Sequence, residues 1–183
     1  MQKTEDLLQA AGQVMDVLAQ LRVDAVVIGG VALAAHHYVR LTYDIDLGVN
    51  VNVEKLHEIA SSLKQAGFHI ELREPDSQDP LGGVIDVKGS FGLLQIISFA
   101  DRFPAVIDDA LSTHPVALCP GSALKIIPLP QLVALKLYAG GLKSKADILE
   151  LLKRNPDTDL KEISDVCKRY RLQGLDDIIS EMP

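Results

Sequence analysis

Ala25-Val26-Val27-Ile28 is a short, uniformly apolar run that stops at Gly29-Gly30, and about one short helix later two carboxylates alternate around an isoleucine in Asp44-Ile45-Asp46. An apolar run of this length bounded by glycine predicts a central strand buried on both faces. Val31 to Tyr38 fits two turns of helix, and Leu47-Gly48-Val49 completes a second strand begun near Tyr43. Strand side chains repeat with period two, so Asp44 and Asp46 share one face while Ile45 takes the other. Two carboxylates so placed can grip one divalent cation.

The remaining segments have their own periods. Leu7, Leu8, Ala11, Val14, Met15, Leu18 and Leu21 predict an amphipathic helix over residues 4 to 20, with Thr4 as its N-cap. Leu56, Ile59, Ala60 and Leu63 predict a helix from Val53 to Ala66, closed by Gly67. Phe68 to Leu72 reads as strand, and Arg73 to Leu81 reads as an exposed loop. Val84 to Lys88 and Leu93 to Phe99 flank a tight turn as a hairpin. A short helix is expected from Pro104 to Leu111, and short strands at Pro115 to Leu118 and Leu124 to Ile127.

After Pro128 and Pro130 the apolar period is helical throughout. It predicts helices near 130–140, 143–153, 158–169 and 172–181, the third capped by Asp157 or Thr158. The expected fold class is α/β (α+β), a mixed sheet flanked by helices with a C-terminal helical segment. Residues 1–128 would form the core with its N-terminal helix, and 129–183 the helical segment packed on it.

Composition excludes several classes. A 48% hydrophobic and 23% charged chain of 183 residues is that of an ordinary folded protein. No apolar run approaches the roughly 18 residues of a membrane span, and Met1 to Asp6 lacks a basic segment followed by a hydrophobic one, so a cytoplasmic location without membrane association is expected. Cys119 and Cys167 lack metal-ligand spacing and are expected to be reduced, structural residues. A net charge of −7 disfavours nonspecific adhesion to nucleic acid, although the Lys168-Arg169-Tyr170-Arg171 cluster keeps an RNA contact open beside its plainer role as a solvated helix end.

Glycines at a strand end let the backbone approach a ligand closely, and phosphate suits that place. Beside two carboxylates on the next strand, a nucleoside triphosphate bridged by magnesium is the implied ligand, and phosphoryl or nucleotidyl transfer the implied chemistry. Alone, Gly29-Gly30 is an ordinary turn and Asp44-Ile45-Asp46 an ordinary strand edge. His36 and His37 are adjacent on a helix, so their rings face different directions and form no two-histidine metal face.

Val27-Ile28-Gly29-Gly30-Val31-Ala32-Leu33 followed by Arg40-Leu41-Thr42-Tyr43-Asp44-Ile45-Asp46-Leu47 resembles the signature of the nucleotidyltransferase-fold superfamily that includes DNA polymerase beta. Among its members the chain is similar to small bacterial nucleotidyltransferase-like proteins, including toxins of abortive-infection type E toxin-antitoxin systems. Leu132 to Gly140, with Lys143 and Ala146-Asp147-Ile148, resembles the helical segment of such proteins. The likeness spans most of residues 25 to 152.

The resemblance implies that Gly29 and Gly30 form the phosphate-side turn and that Asp44 and Asp46 hold two magnesium ions. Arg40 and Thr42 would flank the site; Arg40 is open to a phosphate role or a surface ion pair. Lys136 would face the triphosphate with Lys143 and Asp147 in support, a spacing that also suits a solvated helix face. In active members a third acidic residue lies on a later strand, where this chain has Gln95, and Asp86 on the preceding strand is the candidate substitute, or an exposed hairpin carboxylate. Gly141 and Ser144 stand where relatives often carry arginine and aspartate. Two functions follow: a magnesium-dependent enzyme moving a nucleoside monophosphate from a triphosphate to a hydroxyl on a protein, RNA or small molecule, or an inactive relative that binds a partner protein.

Overall fold

The computed structural model describes residues 2–76 and 80–182; part of the loop expected at Arg73 to Leu81 therefore lies outside the described residues. Five strands form one sheet: β1 (Val26–Ile28), β2 (Asp44–Val49), β3 (His69–Arg73), β4 (Val84–Gly89) and β5 (Gly92–Ser98), in the order β1-β2-β5-β4-β3. β2 and β5 run parallel and the other pairs antiparallel, so the sheet is mixed. The β4–β5 hairpin forms as expected, turning at Ser90-Phe91.

Period-two alternation divides the sheet into two unlike faces. Ile45, Leu47, Ile85, Val87, Leu94 and Ile96 are buried on one face, where α1 (Gln2–Gln20) and α3 (Val53–Gln65) pack. Burying each such side chain contributes about 1.5–3 kcal/mol. α3 starts at Asn52, whose side chain accepts from the Lys55 N–H at 3.0 Å. Thr4, expected as the cap of α1, lies inside that helix, which already begins at Gln2.

The opposite face carries Asp44, Asp46 and Gly48. At Gly48 the sheet is covered by α4 (Pro104–Ser112): a Cβ there would stand 2.8 Å from Ile107 Cδ1. The Asp44 and Asp46 half faces a cleft.

β1 is buried at all three positions as expected, but it is an edge strand. Its free edge is capped by the Lys125–Ile127 segment, with the Val27 N–H donating to Lys125 O at 2.6 Å and the Ile127 N–H to Val27 O at 3.1 Å. This coverage deals with the unpaired groups that an edge would otherwise expose. Pro115 to Leu118 and Leu124 to Ile127 pair only through the single bridges Ala117↔Lys125 and Val27↔Ile126.

The C-terminal part is helical: α5 (Leu129–Ala139), α6 (Gly141–Arg154), α7 (Leu160–Arg169) and α8 (Leu175–Ser180). α7 is capped by Asp159, rather than by Asp157 or Thr158, through the Lys161 N–H. Gly140 and Gly141, both at positive φ (66° and 78°), make the sharp turn that folds α6 back against α5. Leu132, Val133, Ile148, Leu151 and Ile163 join the same buried cluster as the strands. Both cysteines are free; Cys167 is buried, its thiol pushed up to about 11 by burial, whereas Cys119 is exposed rather than packed.

Candidate active site

The chain turns sharply at Gly29 (φ 66°) between β1 and α2 (Gly29–Ala35). A Cβ on Gly29 would lie 1.8 Å from Asp46 Oδ2, and one on Gly30 would lie 2.5 Å from Thr42 Oγ1. The two glycines are therefore the space in which the Asp46 carboxylate and the Thr42 hydroxyl sit. Thr42 donates in turn to Asp44 Oδ1, fixing that carboxylate beside its neighbour.

Asp44 and Asp46 do share a face, alternating with buried Ile45. Burial pushes the Asp46 carboxyl up from 3.8 to about 6; the charge of Asp44 adds to the rise, and Lys136 and Arg40 partly oppose it. Two like charges thus stand in a half-buried cleft of about 510 Å³, whose walls also carry Gly29, Gly30, Arg40, Thr42, Gln95, Lys136 and Lys143.

The basic wall is built by α5 and α6. Lys136 Nζ donates to Asp147 Oδ2 at 2.7 Å, and the Arg40 guanidinium lies 3.9 Å from the same oxygen. Asp147 is only 2% exposed, so it is a buried anchor behind the lysine and no part of the cleft wall. Arg40 Nε is buried without a hydrogen-bond partner.

Gln95 lies directly opposite Asp46 across the β2–β5 pair, and Asp86 directly opposite Gln95 across β4–β5. Asp86 is thus two strands from Asp46, about 10 Å at the usual strand spacing. It is buried and receives Arg73 at 3.0 Å and Gln95 Nε2 at 2.6 Å.

No protein-family model and no curated protein matches the sequence. Solved structures do match the fold. The antibiotic-resistance factor ANT(2'')-Ia in solution aligns with a TM-score of 0.58 at 15% identity over 92% of each chain. Its crystal structure in complex with adenylyl-2''-tobramycin aligns at 0.57 and 13% identity, covering 90% of this chain and 96% of that one. An antigenic nucleotidyltransferase-like protein from Paracoccidioides brasiliensis aligns at 0.55 and 18% identity, over 97% and 92% of the two chains. The chain has the nucleotidyltransferase fold.

In this fold the donor set decides whether a divalent cation fits. Among the described residues no group of three or more His, Cys, Asp or Glu side chains is arranged to hold a metal. Asp44 and Asp46 nonetheless suit one hard cation, because each supplies carboxylate oxygen and the cation would offset both the burial and the like charge that raise Asp46.

Two contacts outside the cleft hold the end of α2 in place. Asn155 donates to His36 O at 2.9 Å and to Leu151 O at 2.8 Å, tying the end of α6 to the end of α2. His36 donates from Nε2 to Ile127 O at 2.7 Å, bracing the end of α2, and burial lowers its pKa. His37 occupies a left-handed turn (φ 66°).

Proposed function

We propose that this chain binds a nucleoside triphosphate with magnesium between the Gly29-Gly30 turn and α5, and transfers its nucleoside monophosphate to a hydroxyl on a protein, RNA or small molecule. The observation carrying this reading is Asp46 standing against side-chain-free Gly29, with Asp44 beside it on the wall of a cleft that Lys136 also lines. Magnesium there would supply charge neutralisation and alignment of the phosphates.

The chain's own residues have separable parts. Asp44 and Asp46 hold the cation, with Thr42 fixing Asp44. Gly29 and Gly30 make room for the Asp46 carboxylate and the Thr42 hydroxyl at the turn that the phosphate chain would approach. Lys136, Lys143 and Arg40 face its negative charge, while Asp147 sets the position of Lys136. The complex of ANT(2'')-Ia with adenylyl-2''-tobramycin supports a hydroxyl-bearing acceptor by likeness of fold.

The test is transfer of label from α-³²P-labelled ATP, GTP, CTP or UTP to an acceptor in an extract of the source cell. Transfer that is lost in Asp44→Ala and Asp46→Ala is expected; no labelling with any nucleotide contradicts the transferase reading. Gln95 favours a second reading, a catalytically inactive binding module of this fold or a toxin-antitoxin-type partner protein, because a neutral amide neither takes a proton nor supplies anionic charge. Labelling that appears only in Gln95→Asp would select it.

A further inference from the structure

Asp46, Gln95 and Asp86 occupy one cross-strand row, and the contacts along it fix the orientation of the middle side chain. Gln95 Nε2 donates to Asp86 Oδ1 at 2.6 Å, Arg73 donates to the same oxygen at 3.0 Å, and Lys88 Nζ lies 4.0 Å from Asp86 Oδ2. A carboxylate only accepts hydrogen bonds, so the amide turns its nitrogen toward Asp86 and keeps its oxygen as the remaining pole. Gln95 itself lines the cleft.

We propose that Asp86 and Arg73 lock the Gln95 amide so that Oε1 is a neutral oxygen donor beside Asp44 and Asp46, and that the site accordingly holds a single divalent cation. This rests on the nucleotide-binding reading. The charge count carries it: the cleft wall offers two carboxylates, and Arg40, Lys136 and Lys143 already bring positive charge to it. A second cation would find only the uncharged amide oxygen as a donor of its own. Asp86 cannot serve it from two strands away with Oδ1 engaged twice. Asp86 and Arg73 are positioning residues, acting on the cation through Gln95.

The experiment titrates the full-length protein with Mn²⁺ alone, counting free Mn²⁺ by its electron paramagnetic resonance signal, with nucleotide binding measured in parallel. Wild type should take up one equivalent and Asp44→Ala none. Asp86→Ala and Gln95→Leu should keep one equivalent at an affinity weaker by on the order of tenfold, as loss of a supporting or donor group does elsewhere. Thermal melts establish that each variant is folded, and the Gln95→Leu arm stands should Asp86→Ala fail to fold. Two equivalents in wild type, or unchanged affinity in Gln95→Leu, would overturn the proposal while nucleotide binding stood. No uptake together with no nucleotide binding would overturn both.

Discussion

Gly29 and Asp46 share a space that only one side chain can fill: a Cβ on Gly29 would stand 1.8 Å from the Asp46 carboxylate oxygen. Gly29→Ala must therefore displace Asp46 as well as adopt a left-handed backbone. Gly121, at φ 80° with nothing near its Cβ, separates the two effects. Gly121→Ala should cost about 1 kcal/mol in urea unfolding, and Gly29→Ala about 3 kcal/mol or more, with nucleotide binding lost only in the latter.

Asp46 gives a pH signature with a definite sign. Its carboxyl is raised from 3.8 to about 6 on folding, so between those values the folded state binds more protons than the unfolded state, and stability falls as pH rises through the window. Asp46→Asn removes that opposition. The metal-free variant should be more stable than wild type in urea unfolding at pH 7.5, by at most roughly 3 kcal/mol, and the difference should shrink toward pH 4.

The Lys136–Asp147 pair is buried enough that breaking it should be costly. Asp147→Ala leaves Lys136 and Arg40 without their shared carboxylate and should destabilise the fold by about 3 kcal/mol. The double variant Lys136→Met with Asp147→Leu should recover much of that loss, giving a coupling energy measurable in a denaturant cycle.

Asn155 joins α6 to α2 through two carbonyls. Asn155→Ala should cost about 1–2 kcal/mol, and hydrogen exchange should rise at the C-terminal turn of α6 while the central strands stay protected.

The two faces of β2 were legible in the sequence because period two is a local property: Asp44, Ile45 and Asp46 reveal it without reference to any partner strand. Neighbours were less legible. Ala25 to Ile28 reads as a central strand because burial on both faces is its only signature, and nothing local tells that the Lys125–Ile127 segment, rather than another strand, covers its edge. The row Asp46–Gln95–Asp86 depends on the register of a hairpin and a parallel pair, both set by tertiary packing. The distance between Lys136 and Asp147 is set by the Gly140-Gly141 turn, whose positive φ values bring two helices together that separate periodicities merely predict.

Isothermal titration with ATP, GTP, CTP and UTP, each with and without magnesium, tests the nucleotide site most directly. Wild type should bind at least one of the four in a magnesium-dependent manner, and Asp44→Ala and Asp46→Ala should lose that dependence while remaining folded. Absence of binding by wild type to any of the four, or binding unchanged by both substitutions, would contradict the assignment of this cleft.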